Sequence, residues 1–284
     1  MGSPCSWVGS RVHLGSAALC ATLAGLLLLS GSVALAETHV TYNINDNTVW
    51  TVGGSPYIIH GTNPPLNMRV LVNAGNTLVI DPGVEVRFME DTALETDPGG
   101  AIVAVGAPGD TIVFRADASE PAAGDWLQVH VYSSSGSQFS YCLFEHAKYG
   151  LYFTESDIDV QRCAFRHCEN GVFTWKASPS IVECWITDTT MRGAWLYRHE
   201  SEPTFYHCNF MRNAINMRLD GYTLPVEIEA ESNWWGVDDD TAIAATIQDG
   251  KDPGGGAGTV DFDPWLEQVP VEQASWSRIK ALFR

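Results

Sequence analysis

Phe139-Ser-Tyr-Cys142-Leu-Phe144, Val160-Gln-Arg-Cys163-Ala-Phe165, Ile181-Val-Glu-Cys184-Trp-Ile186 and Phe205-Tyr-His-Cys208-Asn-Phe210 are one phrase written four times. The cysteines are spaced 21, 21 and 24 residues apart, with an apolar residue three before and two after each. Gly150, Gly171 and Gly193 recur in the same period. Such agreement in register marks a repeat, and a repeat is sought before individual strands are assigned. Each unit holds short β-rich pieces split by Gly, Asn, Ser or charged turns, with no helical period. Two or three strands in about 21–22 residues describe one coil of a β-solenoid. Stacked coils place equivalent residues about 4.8 Å apart, so single apolar faces join into a continuous column. An antiparallel sandwich also gives short strands, but not matching residue types in consecutive units.

Working outward, the upstream half carries strands of the same kind. Val70-Leu-Val72, Thr77-Leu-Val-Ile80, Val84-Glu-Val-Arg-Phe88, Ala101-Ile-Val-Ala-Val105 and Thr111-Ile-Val-Phe114 are separated by Gly75-Asn76, Asp81-Pro-Gly83, Asp97-Pro-Gly-Gly100 and Gly109-Asp110. Val49-Trp50 with Gly54-Ser55-Pro56-Tyr57, the run Gly75-Asn-Thr-Leu-Val-Ile-Asp-Pro-Gly-Val84, Gly124-Asp-Trp126 and Asn233-Trp-Trp-Gly236 followed by Phe262-Asp-Pro-Trp265 resemble secreted right-handed parallel β-helix repeat proteins of the pectate-lyase-like superfamily, bacterial type. The resemblance covers residues 40–266. It implies an all-β chain, a single right-handed parallel β-helix of roughly seven or eight coils, with regular coils over 126–236 and a C-terminal cap over 237–267. One fold hosts many functions, so the resemblance does not assign an activity.

The ends differ from the middle. Residues 1–36 hold one charge, Arg11, then Ala21-Thr-Leu-Ala-Gly-Leu-Leu-Leu-Leu29 and the small-x-small Ala34-Leu-Ala36. This reads as a secretory signal peptide cut after Ala36, which implies a secreted, cell-surface or periplasmic protein. The rival is an uncleaved anchor, for which the apolar run is short. Residues 268–284 hold 3 basic and 1 acidic residue, with Trp276, Ile279, Leu282 and Phe283 interspersed. This basic amphipathic tail reads as a sorting or surface-docking signal, a membrane-surface helix or a cap over the last coil. Between the ends, residues 37–267 hold 12 basic and 33 acidic residues, net −21. That charge argues against nucleic acid as a partner and favours neutral or cationic glycans over pectate-like ones unless Ca²⁺ bridges them.

The four cysteines form an inward ladder: Cys142, Cys163, Cys184 and Cys208, with Asn233 in the place of the next rung. Ladder spacing near 4.8 Å suits buried thiols better than a disulfide, whose Cβ atoms sit at about 3.8 Å. One strained bridge using Cys168 is the rival. After each repeat glycine, alternation puts Leu151, Phe153, Val172, Ala194, Leu196, Ile215 and Met217 inward. It puts Tyr152, Phe173, Trp195 and Asn216 in one outward row and Thr154, Trp175, Tyr197 and Arg218 in a second, extended upstream by His130 and Tyr132. Aromatic rings on a rigid acidic sheet suit stacking against sugars, and in related β-helix enzymes the polysaccharide groove runs along such a face, as the resemblance implies. Cross-strand stabilisation of the sheet, or cover by a partner, explains the same rings.

Catalytic signals are sparse. The dense acidic run Asp238-Asp-Asp240 reads as a solvated turn or helix cap, with calcium as the alternative. His146, His167 and Asp188 share a rung position, yet Arg212 follows them, a poor neighbour for a metal ion. Arg278-Ile-Lys280 echoes a hydrolase tripeptide without its companion Asp motifs. The expectation is therefore an extracellular glycan-binding module without catalysis and without a cofactor. A polysaccharide lyase or glycoside hydrolase with divergent residues and a structural or adhesive scaffold are the alternatives.

Overall fold

A computed structural model describes residues 37–63, 68–198 and 200–267. The signal-peptide and tail readings lie outside the described residues. The described chain winds into three long parallel sheets of eight, eight and seven strands, so each turn contributes one strand to each sheet. This is the expected parallel β-helix at the expected coil count. In the first sheet Cys142–Glu145 pairs with Ala164–Arg166, then Trp185–Thr187, then Asn209–Met211. In the second, Trp126–Tyr132 pairs with Ala147–Thr154, followed by Asn170–Trp175, Arg192–Tyr197, Ile215–Asp220 and Ile247–Gln248. The third holds Gln138–Ser140, Asp159–Gln161, Ser180–Val182 and Thr204–Tyr206. Sequential strands thus never pair with each other; each pairs one coil away.

The inside is a set of ladders. Phe114, Phe144 and Phe165 stack with ring centres 4.7 and 5.0 Å apart, and Phe210 stacks on Trp235 at 4.8 Å. These separations match the strand spacing, so each ring lies flat on its neighbour. Trp126 is fully buried, stacks on Phe88 at 3.9 Å and donates its indole N–H to the Glu145 carbonyl at 2.8 Å. That contact explains why Gly-Asp-Trp opens the regular coils.

The cysteine ladder is inward as expected, and all five cysteines of the described chain are buried and free. Each thiol acts as a small hydrogen-bonding group at the coil corner. Cys208 donates to the Ile181 carbonyl of the coil before at 3.3 Å, and Cys184 Sγ accepts the Cys163 N–H at 3.4 Å. Asn233 completes the ladder with stronger bonds: Oδ1 accepts the Cys208 N–H at 2.7 Å, and Nδ2 donates to the carbonyls of Phe205 at 2.8 Å and Ala230 at 2.7 Å.

Three corners turn each coil, and one residue in the left-handed region makes each turn. Tyr141, Arg162, Glu183, His207 and Ser232 form one such ladder, His146, His167, Asp188 and Arg212 the second, and Ser133, Glu155, Lys176 and Arg198 the third. Positive φ costs a non-glycine residue roughly 1 kcal/mol or more. Here the corner amides offset it by donating to the next coil, as Arg162 does to Val182 O at 3.0 Å and Arg198 to Asp220 O at 2.8 Å. These corner side chains point outward, which is why they are polar.

Candidate functional site

The outer face of the second sheet is set by its pairing register. One row runs Glu95, His130, Tyr152, Phe173, Trp195, Arg218, Gln248. A second runs Tyr132, Thr154, Trp175, Tyr197, Asp220. A third, before the repeat glycines, runs Gln128, Tyr149, Asn170, Arg192, Ile215.

This register corrects the sequence reading in its last coil. Ala194 pairs with Met217, not with Ile215. Cys208 to Asn216 spans eight residues, as Cys142 to Gly150 and Cys163 to Gly171 do, so Asn216 stands where the glycine would be; Asn213, in the corner before it, accepts both the Thr189 N–H at 3.0 Å and hydroxyl at 2.9 Å. Arg218 therefore belongs to the Tyr152 row, and Asp220 ends the Trp175 row. Asn216 is not outward. It stands on the rung of Gly150, Gly171 and Gly193, is 3% exposed, and is bonded to Asn213, the Trp235 carbonyl and Thr246. Ile215 is half-exposed beside Arg192 rather than inward. Thr154 faces outward but is covered, because its hydroxyl lies 2.9 Å from His130 Nε2. The signal for the true register was Leu196 against Leu219; replacement of the marker glycine by Asn216 hid it.

The rings pack against one another. Tyr152 meets Phe173 at 4.5 Å and 76°, and Phe173 meets Trp195 at 4.9 Å and 77°, both edge-to-face. Tyr149, absent from the sequence expectation, fills the angle between them, 5.6 Å from Tyr152 and 5.4 Å from Phe173. It escaped notice because it precedes Gly150, where the alternation breaks. Edge-to-face pairs contribute roughly 0.5–1.5 kcal/mol each beyond area burial. Phe173 is consequently only 7% exposed, while Tyr132 reaches 36%. Trp175, Trp195 and Tyr197 are half-buried. Burial pushes the Tyr149 and Tyr152 phenols above their ordinary range.

Cations lie among the rings. The Arg192 guanidinium sits 4.1 Å from the Trp195 ring centre, a cation–π contact that covers one indole face. Burial, and then the charge of Arg218, lowers the Arg192 pKa. Lys176 and Arg198 each lie 6.0 Å from the Trp175 ring.

Both ends of the row are polar. Upstream, Glu95 is buried. Burial alone would raise its pKa, but hydrogen bonds from His130 and Gln128 bring it below the ordinary carboxylate range. Gln128 Nε2 is 2.9 Å from Glu95 Oε1, and Arg69 is 3.3 Å from Oε2. Downstream, Asp220 Oδ2 accepts the Trp195 indole N–H at 2.8 Å and Arg218 Nε at 2.6 Å, while Arg218 Nη1 donates to Gln248 at 3.1 Å. These residues open into a pocket of about 280 Å³, bordered by Asp252 and the Pro253–Gly255 turn. The last outward aromatic of the central row is thus wired directly to a polar pocket.

The other candidates resolve as structure. His146 and His167 stack at 6.3 Å, but Asp188 holds Arg212 with two bonds of 2.6 and 2.7 Å. Burial raises the Asp188 pKa; the Arg212 bonds outweigh it and hold the carboxyl low. Among the described residues no group of three or more His, Cys, Asp or Glu is placed to hold a metal ion. Asp239 caps the helix Asp240–Ala244 by accepting the Ala242 N–H at 2.9 Å, and Asp240 accepts the Trp265 indole N–H at 2.6 Å.

No curated protein and no solved structure matches the chain. Residues 125–234 match the family model described as the right handed beta helix region, which spans the coils carrying the ring cluster. Together with the three parallel sheets wound one strand per turn, this match supports a right-handed parallel β-helix fold for the described chain.

Proposed function

We propose that the protein is an extracellular glycan-binding module that holds its ligand on the second sheet without cleaving it. The observation carrying this reading is the row Phe173–Trp195–Arg218–Gln248 and its junction with the Asp220 pocket. Half-exposed Trp195, backed by the buried Phe173, supplies apolar contact for sugar C–H faces, and Asp220, Gln248 and Arg218 supply acceptors and donors for hydroxyls at the end of that contact. Tyr132, Trp175 and Tyr197 extend the surface beside the row, with His130 at its upstream end. Asp220 and Asp252 at the pocket favour a neutral sugar over an acidic one. The secreted location belongs to this reading and rests on the sequence of residues 1–36.

A glycan array of neutral and acidic polysaccharides tests it. Trp195→Ala and Trp175→Ala should each weaken the best-bound glycan about tenfold, roughly 1.4 kcal/mol, with an unchanged circular dichroism spectrum. Absence of binding to any glycan refutes the reading. Release of reducing or unsaturated ends, assayed with and without Ca²⁺, would replace it with the lyase or hydrolase alternative. The tight edge-to-face packing of Phe173 favours the second reading, a scaffold whose rings stiffen the sheet. Under that reading the same substitutions lower stability and move no ligand.

A further inference from the structure

The third sheet is interrupted. Its last strand, Thr204–Tyr206, pairs back to Ser180–Val182 and to nothing ahead. The next coil's strand, Val226–Glu229, turns instead to Gly258–Asp261. Elsewhere every coil continues the ladder; here two open strand edges face each other. Between them lies a groove of about 580 Å³, with Thr204, Phe205 and Tyr206 on one wall and Glu227, Glu229, Glu231 and Asp261 on the other. Its volume lies within the range of binding clefts, roughly 300–1,000 Å³. Tyr206 is 49% exposed at its rim. Among the described residues, none of the four carboxylates takes part in an ion pair.

The main chain passes beside this groove as it leaves the described region. Ser232 donates its N–H to Pro264 O at 2.5 Å, and Leu266 donates to Asn233 O at 2.9 Å, one and two residues from Glu231. The sequence that follows is the cationic one, with Arg278, Lys280 and Arg284 against Glu272. Arg278 lies eleven residue steps beyond Glu267, a reach of up to about 36 Å at roughly 3.3 Å per residue. Arg278 and Lys280 alternate in sequence as Glu227, Glu229 and Glu231 do, so an extended segment presents its cations on one face at the carboxylate period.

We propose that residues 268–284 dock in this groove as an extended cationic segment along the open edge of the third sheet. Three features favour that occupant: charge complementarity, matched period and the nearby exit of the chain. Open edges in natural sheets are covered, and solenoid ends need caps, so the docking also meets a requirement of the fold.

Disulfide trapping in the full chain tests this. The five cysteines of the described residues are buried, and burial raises the thiol pKa of Cys163, Cys184 and Cys208; with Cys5 and Cys20 replaced by Ser, a surface pair reports alone. Glu229→Cys with Lys280→Cys should form an intramolecular bridge under mild oxidant about tenfold faster than Val105→Cys with Lys280→Cys, as proximity raises the effective concentration. Salt at about 0.5 M should slow the first pair and not the second. In the otherwise native chain, Arg278→Glu with Lys280→Glu should speed amide exchange at 204–206 and 226–229. Equal trapping rates, bridges only between chains, or unchanged exchange in the charge-reversed chain would each overturn the proposal.

Discussion

Replacing Asn233 by Ala tests whether the corner ladder holds the last coils to the rest. Asn233 is fully buried, and its amide serves three backbone groups: the N–H of Cys208 and the carbonyls of Phe205 and Ala230. Truncation leaves all three without a partner. A buried polar group without its bond costs about 1–3 kcal/mol. Phe205 lines the open groove, so water entering the vacated site offsets part of the loss and the sum falls short of three full penalties. About 3 kcal/mol is the expected loss, or roughly 6–12 °C in Tm for a domain of this size. Because each coil touches only its neighbours, the loss is concentrated at the C-terminal end. Exchange of the Cys208 amide should therefore accelerate about a hundredfold while amides of the upstream coils change little. Asn233→Cys should lose less, since thiols fill the preceding rungs. Stability within about 0.5 kcal/mol of the parent, with the Cys208 amide still protected, would refute the ladder argument.

Two further outcomes follow from the interior. Gly171→Ala places a Cβ 2.6 Å from the Gly193 carbonyl and 3.1 Å from Ile186, and the carbonyl cannot withdraw without breaking the ladder; urea unfolding should show a loss of about 1–3 kcal/mol despite alanine's unfolded-state advantage, and an unchanged midpoint would mean that the coils are not this tightly stacked. Burial pushes the Cys168 thiol up to about 12 from 9.0, so the unfolded chain loses that proton first. Its contribution is intact below pH 9 and is lost as the pH rises through about 12. Alkaline melts should therefore fall less steeply in Cys168→Ala, by up to about 1.4 kcal/mol per pH unit, and identical slopes would place the thiol in water.

The fold was legible because inward positions admit few solutions. A residue stacked on its equivalents every strand spacing must match them in size, so Phe144, Phe165 and Ile186, and the cysteines before them, kept one register that could be read without coordinates. The outer face carries no such constraint. Its register was recoverable only while the glycine marker persisted, and it was misjudged where Asn216 replaced Gly. Tyr149 was missed for a related reason: it lies on the far side of the glycine, where the period-two pattern is broken by the pairing irregularity opposite Gln128 and Val129.

Orientation of the rings lay further from reach. Alternation tells which side of a strand Trp195 takes, but its partners come from three different coils. Phe173 meets it edge-on, Arg192 covers a face and Asp220 holds its N–H. Of these contacts only the last depends on the register that the sequence reading missed, because Arg192 shares a strand with Trp195 and Phe173 is its neighbour in the expected row. Had Arg218 stood beside Tyr197, as the period implied, the Trp195 indole would have had no Asp220 to bind and the row would end in solvent. The shift that defeated the sequence reading is the same shift that joins the aromatic row to a polar pocket. Inward and outward residues of a strand share one pairing register, so the alignment that sets Ala194 on Met217 and Leu196 on Leu219 inside also sets Trp195 on Arg218 and Tyr197 on Asp220 outside.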